Sequence, residues 1–311
     1  MDSLDIRILR ELWQGREGFP LEPDVRKSYR SMARRLKIDN VTFRNRLSRF
    51  YRSGYWKGTQ LGVNPSLLGM KANMFWLLDV QLPLEKDALI RELSLVQGVM
   101  VIIDYYGPSL AVGTLLDGKI SIEKQSELLA KLSGAREVLW VDLPFPKCKM
   151  ELTPTDWRIV KAIRANPRQS YPVISKEVGV SVKTVKRRLQ KMNEAGALFV
   201  MPLQNLKALE GAIVADLVVL YSNAEAKTDV DNRIISQFEE FLTLATMGAP
   251  KYSFFAFVIG KIWQAKEMLS WVKRQPGVVR AFMGLVQDRI ESYETFTRLL
   301  EKKLREESIY A

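Results

Sequence analysis

Residues 28–54 and 170–196 of this chain read as one pattern written twice without a gap. Identical residues stand at Ser28/Ser170, Tyr29/Tyr171, Thr42/Thr184, Arg46/Arg188, Leu47/Leu189 and Gly54/Gly196. The apolar rows coincide as well: Met32 with Ile174, Leu36 with Val178, Phe43 with Val185, Phe50 with Met192. Repetition at one fixed offset constrains the architecture to two copies of a single supersecondary unit.

The second copy, Tyr171 to Gly196, predicts two short helices joined by a tight turn. Ile174 and Val178 form the apolar stripe of the first helix. Gly179 stands at the turn, where glycine accepts a positive φ, and Ser181 takes an N-cap position. Val185, Leu189 and Met192 share one face of the second helix, and Lys183, Lys186, Arg187, Gln190 and Lys191 fall elsewhere on the wheel. A lone basic helix is ordinarily a solvated surface. The helix–Gly–x–Ser–helix grammar, met twice, points instead to a helix that sits on a protein core and enters a DNA major groove. In the first copy Asp39 replaces Ser181 as the cap, and Lys37 stands where Gly179 stands, so that turn must close differently or under strain. Leu4 to Trp13 and Asp156 to Ala165 each predict a preceding helix, making three per unit. The connection from Gln14 to Lys27, with Gly15, Gly18, Pro20 and Pro23, reads as a loop.

A net charge of +12 and a pI near 9.6 predict attraction to polyanions, nucleic acid first and an anionic membrane surface second. No apolar run approaches the ~20 residues of a membrane span, and the run from Gly211 to Tyr221 is interrupted by Asp216. No secretion-type apolar core follows the charged N-terminus. Cys148 is the only cysteine, so a reducing cytoplasm (the nucleoid) is the expected location. There is no histidine, which removes histidine triads, histidine metal sites and a histidine haem ligand; no enzyme activity, metal or cofactor is expected.

Between the repeats the pattern changes. Tyr55 to Leu61 predicts a short β-ribbon or wing with Lys57 able to touch phosphate, and its counterpart Ala197 to Leu203 is uncharged. Ala72–Val80, Leu84–Leu95, Val99–Asp104, Ser109–Leu116, Ile120–Leu132 and Glu137–Leu143 then predict strand, helix, strand, strand, helix, strand, with a turn at Gly107-Pro108. This is the βαββαβ, ferredoxin-like order. Pro144-Phe145-Pro146 ends it. The order recurs as Ile213–Tyr221, Val230–Phe241, Leu242–Met247, Tyr252–Ile259, Ile262–Lys273 and Val278–Val286, with a turn at Gly248-Ala249-Pro250. A last charged helix carries Ile290, Tyr293, Phe296, Leu300 and Leu304 as its stripe, for packing on a sheet or a partner chain. The expected fold is α+β: two winged helix-turn-helix domains (1–66, 147–206) alternating with two ferredoxin-like domains (67–146, 207–289), then a helix over 290–311.

This order resembles the Lrp/AsnC, or feast/famine, regulators. Asp156 with Ile159 and Ile163, the run Ser175 to Ser181, and Thr184-Val185 leading to Arg188-Leu189 are similar to the family pattern; the first half matches more loosely. The resemblance covers nearly the whole chain as two fused family units. It implies a DNA-binding transcriptional regulator that self-associates through its ferredoxin-like (RAM-type) domains. It also implies an effector site near the turn between the second and third strands of each such domain, here Gly107 and Gly248. The family's Gly-Asp motif is not kept there: Pro108, Ser109, Ala249 and Pro250 supply no acid, so an amino-acid effector is not expected and another small molecule is left open. The siroheme decarboxylases resemble the same scaffold, but their expected haem-site chemistry lacks a histidine here.

Bases are read by Arg, Lys, Asn and Gln through bidentate geometry, and other cations mostly grip phosphate. The base-reading candidates are Arg44, Asn45, Arg187 and Gln190. Arg30, Arg34, Arg35, Arg49, Arg52, Lys57, Lys176 and Lys191 are phosphate candidates, with Thr42, Ser48, Lys183, Thr184 and Lys186 on or beside the same faces. For Arg46 and Arg188, beside the apolar stripe, a structural salt bridge and a DNA contact stand level. Gly113 to Lys119 mimics a P-loop, but Ile120 replaces its hydroxyl residue. Asn40-Val41-Thr42 spells a glycosylation sequon in a chain with no secretory signal. Phe75, Trp76, Phe254, Phe255 and Phe257 fit either a nucleobase platform or, on paired sheets, a core.

Overall fold

The first repeat folds as α1 (Ser3–Trp13), α2 (Tyr29–Arg35) and α3 (Asn40–Arg52), followed by β1 (Trp56–Val63). The first βαββαβ run is β2 (Met70–Val80), α4 (Lys86–Leu95), β3 (Val99–Tyr105), β4 (Leu110–Asp117), α5 (Ile122–Ser133) and β5 (Ala135–Asp142). The second repeat is α6 (Pro154–Ile163), α7 (Tyr171–Val178), α8 (Val182–Glu194) and β6 (Leu198–Gln204). The second βαββαβ run is β7 (Ile213–Tyr221), α9 (Ala224–Gln237), β8 (Leu242–Thr246), β9 (Tyr252–Ile259), α10 (Ile262–Lys273) and β10 (Val278–Glu291), and α11 (Tyr293–Ile309) closes the chain. The computed structural model describes residues 1–13, 24–81, 85–143, 145, 147–246, 250–291 and 293–309. Most of the loop read over Gln14 to Lys27, with Gly15, Gly18, Pro20 and Pro23, lies outside the described residues, as do Pro144, Pro146, Gly248 and Ala249. Among the described residues no helix is long and apolar enough to cross a membrane.

The turns of the two repeats close alike at unequal cost. Gly179 has φ 74, and Lys37 takes the same left-handed conformation with φ 57. That region costs a residue with a Cβ about 1 kcal/mol or more. Lys37→Gly is therefore expected to raise the unfolding free energy by about 0.5–1 kcal/mol. The measurement is a denaturant midpoint at unchanged slope; an unmoved or lowered midpoint would show that the lysine is not strained.

The strand after each repeat does not fold back into a separate hairpin. β1 and β6 pair antiparallel with each other. A lone strand leaves its amides unpaired, and each repeat's partner strand is the other repeat's. Thr59 pairs with Pro202 and Gln60 with Met201. Thr59 and Met201 are equivalent in the repeat, as are Gln60 and Pro202, so this ribbon carries a pseudo-two-fold axis. Lys57, read on an independent wing, is exposed beside the register shift between Trp56 and Gly58.

The other eight strands form one hydrogen-bonded run, β5-β2-β4-β3-β10-β7-β9-β8. In a flat sheet β5 and β10 would stand about 19 Å apart at 4.8 Å per strand. Yet Arg280 of β10 reaches Glu137 of β5 at 2.6 Å, and the rings of Trp76 and Phe282 meet edge-on at 6.2 Å. The run is therefore folded over on itself, and β10 is the strand that turns the corner. Its first part pairs with β7 and its last part, Val286 to Glu291, pairs with β3. Gly284 belongs at this corner, since a Cβ there would sit 2.4 Å from the Tyr105 ring. Two sequence-level expectations change here. The strand read as ending at Val286 continues to Glu291, and Ile290, read on the helical stripe, pairs with Ile102. The helix read from Val230 begins at Ala224, where Asn223 caps it by accepting the Ala226 amide at 2.8 Å.

Phe75, Trp76, Phe255 and Phe257 are buried and Phe254 is partly buried, which makes these aromatics core rather than a nucleobase platform. The first repeat packs against residues of the far half, including Val214, Val258 and Val286. The second packs against Ala72 and Leu115 of the near half and against Phe296 and Leu300 of α11. The terminal helix thus covers α6 and β3 within the same chain.

Candidate nucleic-acid interface

Each unit's second helix begins on a side-chain cap. Asp39 accepts the Thr42 amide at 2.8 Å, and Ser181 accepts the Thr184 amide at 3.1 Å. The Thr42 side-chain and backbone hydrogen bonds hold the Asp39 carboxyl below the usual carboxylate range. These caps engage the hydroxyls of Thr42 and Thr184, the two threonines read on or beside the DNA-facing surfaces. Thr42 donates to Asp39 at 2.6 Å, and the Thr184 and Ser181 hydroxyls lie 3.0 Å apart.

The apolar backs, Phe43, Leu47 and Phe50 on α3 and Val185, Leu189 and Met192 on α8, are buried as the periodicity requires. Opposite them, Arg44, Asn45, Ser48 and Arg52 on α3 and Lys183, Arg187 and Lys191 on α8 are exposed, and no described residue pairs with their side chains. Arg30, Arg34, Lys57 and Lys176 are likewise exposed and unpaired among the described residues. Gln190 is exposed and donates to Glu194 at 2.8 Å, one turn along. Lys186 lies with its ammonium 5.2 Å from the Tyr171 ring.

Other cations are held inside the unit. Arg46 reaches Asp2 and Asp5, and Arg188 reaches Thr153 and Asp156 at 2.9 and 3.0 Å. Asp5 and Asp156 are the third residues of α1 and α6, where each is also half of a reciprocal cap with the residue before the helix. One buried carboxylate thereby finishes the first helix and anchors the recognition helix. For Arg46 and Arg188 the salt bridge is the role the geometry fills. Two phosphate candidates are also engaged within the unit. Arg35 clamps Glu11 through two nitrogens at 2.9 and 2.7 Å, and Arg49 pairs with Asp5, each with about half its side chain still exposed. Their acids sit on α1, where helix spacing within α2 or α3 gives no sign of them.

The two units also clasp each other. The Arg26 guanidinium stacks 4.2 Å from the Tyr171 ring and donates to the Gln169 carbonyl at 2.6 Å. In the reciprocal contact Arg168 stacks 4.3 Å from Tyr29 and donates to the Lys27 carbonyl at 2.7 Å. Arg26 and Arg168 are equivalent in the repeat, as are Tyr29 and Tyr171, so the contact is an isologous interface inside one chain. Neither arginine was singled out from sequence. The signal was there: the gap-free alignment continues two residues upstream of Ser28 and Ser170 onto this Arg pair.

At the turn near Gly107, the Lys86 ammonium donates to the carbonyls of Tyr105 and Gly107 at 2.5 and 2.7 Å and pairs with Asp104. The chain's own lysine lies where an effector was sought. The counterpart, Gly248, is outside the described residues.

A family model of winged helix-turn-helix DNA-binding domains matches residues 152–198. The match spans α6, α7, α8 and the first residue of β6, so the second unit has the winged helix-turn-helix pattern. Among solved structures, the siroheme decarboxylase NirDL is similar along the whole chain, at 15% identity and TM-score 0.54, covering 97% of this chain and 98% of that one. The same enzyme in complex with an iron-uroporphyrin III analogue gives 15% identity and TM-score 0.52, covering 97% and 99%. AsnC of E. coli is similar over 45% of this chain and 94% of its own, at 20% identity and TM-score 0.35. No curated protein matches the sequence.

Proposed function

We propose that this protein is a transcriptional regulator of the Lrp/AsnC type. In this reading two regulator units are fused in tandem, with domains at 1–66, 67–146, 147–206 and 207–289, and two unlike recognition helices bind one asymmetric DNA site. The observation that carries the reading is the pair of capped helices whose outward cations are unpaired among the described residues: Arg44 and Arg52 beside Asn45 on α3, and Lys183, Arg187 and Lys191 on α8. Arg44, Asn45, Arg187 and Gln190 read bases, while Arg30, Arg34, Arg52, Lys57, Lys176 and Lys191 grip phosphate. α3 carries no acid and the first strand carries Lys57, which makes the first unit the more electrostatic half. Competition by random duplex at rising salt tests the proposal. A regulator keeps a preference of about 10³ or more for its site, whereas an architectural DNA-binding protein loses it. In the same assay Arg187→Ala is expected to cost about 1–3 kcal/mol on the matched site and to relax one base position. An equal loss on matched and mismatched sites would make Arg187 a phosphate contact.

One observation favours a second reading, the whole-chain fold likeness to a siroheme decarboxylase. The two are separated by adding an iron tetrapyrrole and recording the visible spectrum. A saturable shift of the main absorption band supports the enzyme-like reading, and an unchanged spectrum supports the regulator.

A further inference from the structure

The outward line of α3 holds one residue that neither packing nor phosphate contact uses. Val41 is 65% exposed and packs against neither repeat's core. Valine is β-branched and a mediocre helix former, so helix propensity does not place it there. A lone exposed valine needs no explanation on an ordinary surface. This one stands at the second position of α3, and the N-terminal residues of a recognition helix are the ones that meet base edges. At 3.6 residues per turn, Val41 and Asn45 lie about 40° apart on the wheel. Both face away from the buried Phe43, Leu47 and Phe50.

The gap-free repeat aligns Lys183 with Val41 and Arg187 with Asn45. All four are exposed, and the side chains of Asn45, Lys183 and Arg187 have no partner among the described residues. Equivalent positions in the two units therefore carry unlike chemistry. Among the bases only thymine shows a methyl group in the major groove, and an apolar side chain covers it. Asparagine pairs with N6 and N7 of adenine, whereas lysine and arginine donate to O6 and N7 of guanine. Residues four apart rise about 6 Å along a helix, close to two base steps of about 3.4 Å. We propose, building on the regulator function above, that the two half-sites differ in base composition. The core of one is A·T, with a thymine methyl against Val41 and an adenine held by Asn45. The core of the other is G·C, with guanines held by Lys183 and Arg187. Arg44 and Lys186 are cations at equivalent positions, so they do not set the halves apart. Gln190 has its amide nitrogen on Glu194, which leaves Lys183 and Arg187 as the unengaged readers of that face.

The site enriched from a random duplex pool by the intact chain is the probe. Each of its thymines is replaced in turn by deoxyuridine, which lacks only the methyl. One thymine of the A·T half is expected to respond, with Kd rising about three- to tenfold. In Val41→Ser the same replacement should cost less than about twofold. Val41→Lys combined with Asn45→Arg copies the second unit's residues onto α3 and should turn the first core from A·T to G·C in a repeat selection. An unchanged circular-dichroism melt verifies that these exposed substitutions leave the fold intact. Identical bases at both cores, a uracil series that costs less than about twofold at every thymine, or a penalty that survives Val41→Ser overturns the base assignment and leaves the regulator function standing. A selection that enriches no sequence overturns both.

Discussion

Arg188→Ala is expected to destabilise the fold by about 2–3 kcal/mol. The Asp156 carboxylate is 1% exposed, and the Arg188 guanidinium is the cation that neutralises it. Truncation leaves a buried charge held only by the Thr153 amide and hydroxyl. The partial exposure of Arg188 places the cost below the upper end of the range for fully buried pairs. Arg46→Ala supplies an internal comparison. Asp5 is equally buried, but Arg49 also touches it, so the loss there should be about 1 kcal/mol. Chemical denaturation of the two variants checks the order. Equal losses, or a larger one at Arg46, would mean that the pairs are not the anchors of the recognition helices.

Asp216→Asn is expected to stabilise the protein at neutral pH, by about 1–3 kcal/mol. Asp216 lies in the middle of β7 on the inner face of the folded sheet, 1% exposed, accepting the Tyr105 hydroxyl at 3.2 Å through one oxygen while the other has no hydrogen-bond partner among the described residues. Burial pushes its carboxyl up from 3.8 to about 6, against the opposing pull of the Arg289 charge and the Tyr105 hydroxyl. The sign follows from proton uptake. Between pH 3.8 and about 6 the folded state holds a proton that the unfolded chain has released. Stability therefore falls as pH rises through this window and is lowest above it. The asparagine variant cannot ionise, so its advantage should be present at pH 7.5 and vanish near pH 4. Unfolding free energies of both proteins across that range provide the check; a wild-type stability that rises from pH 4 to 7 relative to the variant contradicts the assignment.

The two repeats and the two βαββαβ runs were legible because each is written in a local period. Val185, Leu189 and Met192 mark a helix face wherever the helix sits, and Ser181 and Asp39 mark its start. What was not legible depends on which surfaces meet. β1 and β6 look like two wings until it is known that each completes the other's ladder. β10 was read as too short because nothing near Val286 announces that β3 will receive the rest of the strand, and Ile290 fits a helical stripe as well as a strand. At the interface the apolar and exposed faces of α3 and α8 followed from the wheel. Arg35 and Arg49 did not, because Glu11 and Asp5 compete for them from another helix. The Arg26–Tyr171 and Arg168–Tyr29 clasp was encoded in the alignment but needed the idea that the repeats face one another.

In the proposed function one chain presents two different basic helices to a single duplex. Enrichment of bound sequences from a random duplex pool by the intact protein tests it most directly. One enriched site made of two unlike half-sites is expected, centred about one helical turn or a multiple apart, with Asn45→Ala relaxing one half and Arg187→Ala the other. Recovery of perfect palindromes, or of no enriched sequence at all, would contradict it.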